Sequence, residues 1–182
     1  CHFLESPAAR RLLGGTPVIS GPHDVHVERD SSGAVLRASH DGYASDCDVI
    51  HHRAIRLSAD GRVLDGEDSF TTADGRAAAS GAEFAVRFHL HPAIKASRLA
   101  DGRGVILLLQ DREVWTFATL ADAVEIEESV FLAGSDGPRR TVQIVIYGRV
   151  GEQDNVRWSF RHTPPASPGA RPDRAHEPEL PL

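Results

Sequence analysis

Between Glu83 and Leu90 the apolar residues Phe84, Val86, Phe88 and Leu90 fall at every second position, with Ala85, Arg87 and His89 between them. A period of two is the signature of a strand with one face in a core, and Pro92 ends it by removing a backbone donor. The same period recurs along most of the chain. Val25 and Val27 alternate with Asp24, His26 and Glu28, the run Asp30-Ser31-Ser32-Gly33 supplies a turn, and 34–39 returns as the hairpin partner. A second hairpin joins 49–58 to a short 62–64 through Asp60-Gly61. Further strands are predicted over 105–110, 113–118, 124–132, 141–150 and 156–161, with 105–110 apolar enough to be buried on both sides.

Roughly nine to eleven short strands and almost no helix predict an all-β chain, an antiparallel β-sandwich of two sheets with jelly-roll or supersandwich character. One short N-terminal helix is predicted from Ser6 as cap, Pro7 at the first helical position, formers through Leu13 and Gly14 as stop. Segment 66–82, rich in Gly, Ala, Asp and Thr, reads as a long loop. Six of the eleven prolines lie beyond Thr163, so that end is expected to be a disordered tail with too little apolar surface to offset the entropy of ordering. The expected division is a lead-in over 1–22, the sandwich over 23–162 and the tail over 163–182.

The formal net charge of -6 argues against a nucleic-acid surface, which needs clustered excess basic charge. Lys95 is the only lysine, and arginine's planar fork suits carboxylate or sulfate groups on an acidic ligand. No apolar run reaches the about 18 residues of a membrane span. The spacing of the two cysteines, Cys1 and Cys47, reads neither as a close-spaced metal pair nor as a disulfide framework. The chain opens on Cys1 and contains no methionine, so it is expected to be a fragment or processed piece, with any export signal upstream.

Three clusters could carry chemistry. His89 and His91, two apart on an extended segment, project from one face about 7 Å apart and could converge on a divalent metal, zinc foremost, given a further ligand from elsewhere. Arg87 shares that face and suits an anionic sugar, as does the pair Arg139-Arg140. His40 and Tyr43, in Ser39-His40-Asp41-Gly42-Tyr43 at a strand end, are residue types that move protons near neutral pH. In His51-His52-Arg53 the outer two residues share a face and only one face can be core. Glu67-Asp68 reads as turn chemistry, and Glu125, Glu127 and Glu128 as a solvated face.

Several segments, in order, resemble heparinase II/III-like proteins of bacteria: Arg87-Phe88-His89-Leu90-His91-Pro92 is similar to that family's "RFHLHP", and 39–43 to its "SHDGY". Segments 51–68, 127–131 and 139–145 are similar to its "HRR…LSxDGxxLxGED", "EESVYL" and "RRTxQIV". The resemblance implies a polysaccharide lyase whose N-terminal α/α toroid is missing here, and whose C-terminal β-sandwich contributes a histidine and metal ligands, best matched by His91 and then His89. It implies β-elimination on an acidic polysaccharide by the complete protein, with this chain alone catalytically silent. It favours a periplasmic or secreted location if an upstream signal exists and a cytoplasmic one otherwise. The opening His-containing strand of the family is absent, and Asp46-Cys47-Asp48 and His52 depart from its pattern. Two alternatives stay open: a non-catalytic carbohydrate-binding or structural β-sandwich, and a free-standing metalloprotein using His89 and His91.

Overall fold

A computed structural model describes residues 22–164, leaving out 32, 122, 133–136 and 154. The helix expected over 6–14 and nearly all of the expected tail lie outside the described residues. Eleven strands follow in order: β1 Val25–Arg29, β2 Val35–Tyr43, β3 Val49–Leu57, β4 Val63–Thr71, β5 Glu83–His89, β6 Lys95–Arg98, β7 Gly104–Leu108, β8 Val114–Thr119, β9 Glu125–Phe131, β10 Arg139–Arg149 and β11 Asn155–Thr163. A single helical turn, α1 Ala44–Cys47, links β2 to β3 and ends where Asp48 takes a left-handed conformation with φ 53°. No helix among the described residues is long and apolar enough to cross a membrane.

The strands form a large sheet in the order β1-β2-β3-β4-β11-β8-β7-β6 and a small one in the order β5-β10-β9. Every registered strand pair is antiparallel, as the hairpin signals require. Between the sheets Val86, Ile144 and Ile146 of the small sheet meet Val105, Leu107, Phe117, Val156 and Trp158 of the large one. Phe88 is the hinge of this packing, its ring centroid 4.7 Å from Trp158, 5.1 Å from Phe117 and 5.5 Å from Phe160. Tilted and edge-on aromatic packing of this kind adds to simple area burial. The alternation read in β5 is therefore correct in its phase: the Phe84, Val86 and Phe88 face is the core face.

Three local expectations change. β4 does not stop at Leu64 but runs to Thr71, because Gly66, Glu67 and Asp68 pair with β3 on one side and β11 on the other. Its composition hid it, since Gly66 must be side-chain free: an added Cβ would sit 2.1 Å from Cζ2 of Trp158. β7 is buried on one face only, with Ile106 and Leu108 each 38% exposed. β6, which the sequence did not announce, pairs its short length onto β7.

The approach of Trp158 to the β4 backbone yields a direct test. Gly66→Ala is expected to destabilise the chain by about 1–3 kcal/mol through overpacking, measured as a lower urea midpoint at unchanged slope. An unaltered midpoint would contradict this packing.

Candidate functional site

The polar centre of the molecule lies in the inward face of the large sheet. On β3, His51, Arg53 and Ile55 point to the interior; in the cross-strand register His40 of β2 and Phe70 of β4 flank His51, while Asp68 of β4 is opposite Arg53. The Asp68 carboxylate is fully buried. Its Oδ1 accepts from His51 Nε2 at 2.7 Å and from Arg53 Nε at 2.7 Å, and its Oδ2 from Arg53 Nη2 at 3.1 Å and Trp158 Nε1 at 2.8 Å. Burial alone would raise the Asp68 pKa, but the donors from His51, Arg53 and Trp158 outweigh it and hold the carboxyl below its ordinary range. Arg53 also lies 5.8 Å from the ring centroids of both Phe88 and Trp158, which lets a charged group sit against aromatic faces in the core.

His40 extends this centre outward. Its Nε2 is 3.1 Å from His51 Nδ1, and its Nδ1 accepts the Gly42 amide at 3.2 Å. Burial is the foremost cause that pushes the His40 pKa down, and the electrostatic effect of the neighbouring His51 ring acts in the same direction. The Tyr43 ring packs at 5.2 Å from His40, and burial raises its hydroxyl pKa. The segment expected to be a turn at a strand end is instead the end of β2 itself, with a register irregularity between His40 and Tyr43. That irregularity lets both His40 and Tyr43 face one hollow.

The hollow is a cavity of about 420 Å³ between the end of the large sheet and β5. Its polar lining includes His40, Tyr43, His51, Arg53, Arg87, His89 and Gln143, and its apolar lining includes Phe70 and Phe84. β5 is an edge strand, so residues from both its faces reach the cavity. The bonds from Leu90 N to Val142 O and from Val150 N to Ala82 O flank the β5–β10 pair. By the alternation of an antiparallel ladder, the backbone amides of Ala85, Arg87 and His89 then face away from β10.

Four of the residues chosen from sequence, His40, Tyr43, Arg87 and His89, thus line one space. Arg139 and Arg140 do not: both are exposed at the start of β10, opposite Phe131 and Val130 at the far end of the small sheet. Arg87 is not a free cation either. Its Nη1 donates to Glu127 Oε2 at 2.9 Å, and Glu127 also accepts from Gln143 Nε2 at 3.1 Å and from the Tyr147 hydroxyl. The Tyr147 bond is the foremost cause that lowers the Glu127 pKa, and the same bond raises that of Tyr147.

His89 and His91, expected as a metal pair, each have one ring nitrogen engaged within the protein. His89 Nδ1 is bonded to Ser129 Oγ at 2.8 Å, and His91 Nδ1 accepts the Ala93 amide at 3.2 Å while its ring packs on Phe131 at 4.9 Å. Ser129 and Phe131 are two apart on β9, so both imidazoles do lie over one face of the small sheet, as their spacing implied. A zinc site built on these two imidazoles would need further ligands from elsewhere. Among the described residues no group of three or more His, Cys, Asp or Glu is gathered to hold an ion.

Sequence reasoning missed Asp68, Glu127 and Gln143 as parts of the site, and gave His51 and Arg53 a shared face but no role. The available signal was His51-x-Arg53 on a strand: if that face is inward, a buried acid must face it on a neighbouring strand. Nothing local could show that Asp68 was that acid.

A family model described as "Heparinase II/III-like, C-terminal" matches residues 2–159. A curated protein of Caulobacter vibrioides, "FtsZ-localized protein C", is 32% identical over 172 residues, covering 86% of this chain and 29% of the relative. The chain therefore spans under a third of that relative's length. Among solved structures, the heparan sulfate lyase HepC of Pedobacter heparinus superposes with a TM-score of 0.62 at 11% identity, over 76% of this chain and 22% of that one. A "Heparinase III-BT4657 gene product" gives 0.57 at 7% identity, over 77% and 22%. At such identities these two structures speak for the fold.

The buried carboxylate sets the prediction. Asp68→Ala leaves Arg53 and Trp158 Nε1 without their acceptor and is expected to cost about 3–5 kcal/mol. Because the folded pKa of Asp68 is lowered, its stabilisation is complete above the ordinary carboxyl value of 3.8 and is lost as pH falls through the lower folded value. Urea titrations across acid pH should show Asp68→Asn with a flatter acid limb than the parent; parallel limbs would contradict the assignment.

Proposed function

Because this chain belongs to the heparinase II/III-like, C-terminal family, we propose that it is the sheet domain of an acidic-polysaccharide lyase and forms one wall of the substrate cleft. The observation that carries this reading is the convergence of His40, Tyr43, Arg87 and His89 on one cavity. In such an enzyme an α/α toroid supplies the opposite wall, and the chain alone binds without turnover.

β-Elimination needs a base for the proton beside the uronate carboxylate, a donor for the departing glycosidic oxygen, and positive charge or amide donors for the carboxylate. His40, its pKa lowered by burial, is neutral at neutral pH and competent to take a proton. Tyr43, its pKa raised by burial, keeps its proton and suits the donor role. Two groups with pKa values driven apart by their surroundings divide acid and base work in this way. Arg87 spends Nη1 on Glu127 and retains its other N–H groups, and the outward amides of Ala85, Arg87 and His89 add neutral donors for a carboxylate. No step is assigned to a metal.

A second reading is a non-catalytic carbohydrate-binding or structural sandwich. What favours it is that both cavity arginines, Arg53 and Arg87, already face carboxylates, together with the likeness to a relative named for its localisation with FtsZ. Turnover separates the two. The full-length protein carrying this domain should produce the ultraviolet absorbance of unsaturated uronate from an acidic polysaccharide, and His40→Ala should lower kcat by about 10²–10⁴-fold. Full activity in that variant, or robust turnover by the chain alone, would overturn the first reading; saturable binding with no turnover would establish the second.

A further inference from the structure

The hydrogen bonds around His40 can be satisfied in only one direction. A backbone N–H is always a donor, so the Gly42 amide at 3.2 Å requires His40 Nδ1 to be unprotonated, and the proton of neutral His40 is then on Nε2. That Nε2–H donates to His51 Nδ1 at 3.1 Å, so His51 Nδ1 must also be a bare acceptor. The proton of His51 is left on Nε2, where it donates to the Asp68 carboxylate at 2.7 Å. Arg53 and Trp158, bonded to the same carboxylate, keep Asp68 ionised and fixed. Four groups on three strands thus make a chain of donors that starts at a backbone amide and ends on a buried anion.

We propose that Asp68 and His51 are positioning residues that hold His40 in the Nε2–H tautomer, so that Nδ1, beneath the Gly42 amide, is the one atom of that ring able to accept a proton. The proposal rests on the proton-accepting role given to His40 above, but its structural half does not need a substrate. In the reaction the Gly42 amide moves off the Nδ1 lone pair it occupies, the substrate C–H bond breaks with its electron pair left on carbon, the proton goes to Nδ1, and the Nε2–H bond to His51 is kept throughout. Only the Gly42 amide loses its acceptor. That residue lies between His40 and Tyr43, where the β2 register is already irregular, so the change is confined to backbone that is not locked in the ladder. Glycine suits the place, since an added Cβ would stand 3.0 Å from His40 Nδ1.

The test is a long-range ¹H–¹⁵N correlation spectrum of the uniformly ¹⁵N-labelled chain near neutral pH. His40 and His51 should both appear as pure Nε2–H tautomers. His51→Leu should abolish the single-tautomer signature of His40. His51→Gln should restore it, because the amide oxygen replaces the Nδ1 acceptor and the amide nitrogen replaces the donor to Asp68. An Nδ1–H or mixed tautomer at His40 in the parent chain, or an unchanged His40 in the leucine variant, overturns the proposal. In the full-length enzyme, His51→Leu should lower kcat by on the order of tenfold to a hundredfold with little change in KM, and the glutamine variant should recover most of it. The predicted tautomers in a protein without lyase turnover would uphold the positioning and remove the lyase reading, so the two fail separately.

Discussion

A carboxylate with no exposure to solvent is held at the centre of this sandwich by four donor contacts. Asp68 ties together β4, on which it sits, β3 through His51 and Arg53, and β11 through Trp158. Through His51 it also reaches β2. Ionic groups in a core are a weak source of net stability compared with apolar packing, yet a pairing broken on one side is expensive. Its consequence is register: a one-residue slip of β4 against β3 would turn Asp68 to the outside and leave Arg53 charged among Phe88, Trp158 and Phe70. The hydrophobic contacts could tolerate small adjustments, whereas this arrangement tolerates none.

The same requirement shapes the cavity. Because the inward face of β3 carries His51 and Arg53 rather than a run of apolar residues, the two sheets do not close on each other at this end. β5 stops its sheet there, and its residues divide their duties by alternation. Val86 and Phe88 enter the core beside Ile144 and Ile146, while Arg87 and His89 lie on the other side with Gln143 and Glu127. An edge strand with unmated amides is a liability in most sheets. Here the edge borders a hollow lined by imidazoles and guanidinium groups, and under the proposed function such amides serve as donors to an anion.

The charges of the cavity are almost fully matched within the protein, Arg53 with Asp68 and Arg87 with Glu127. A site of this kind does not attract an acidic polymer by net charge, consistent with the overall -6. Under the proposed function a carboxylate is recognised by geometry, through donors fixed in place before the ligand arrives, which lowers the entropic cost of binding. The Tyr147, Gln143 and Arg87 donors on Glu127 serve that end by fixing the guanidinium plane. The chain shares its fold with the heparan sulfate lyase and spans under a third of the Caulobacter relative's length.

Residue spacing alone determined much of this protein. The period of two in β5 assigned each of its side chains to the core face or the opposite one, the turn residues at Asp30–Gly33 and Asp60-Gly61 gave two hairpins, and the ordered motifs gave the family. These are local properties, carried by neighbours in sequence. Tertiary structure decided which face of His51-His52-Arg53 is inward, that Gly66–Thr71 is strand rather than loop, and that the His91 ring packs on Phe131. Above all it decided the partners of Asp68, which lie 15, 17 and 90 residues away. A buried carboxylate and its donors meet only through the register of separate strands, and no single strand encodes the register of its neighbours.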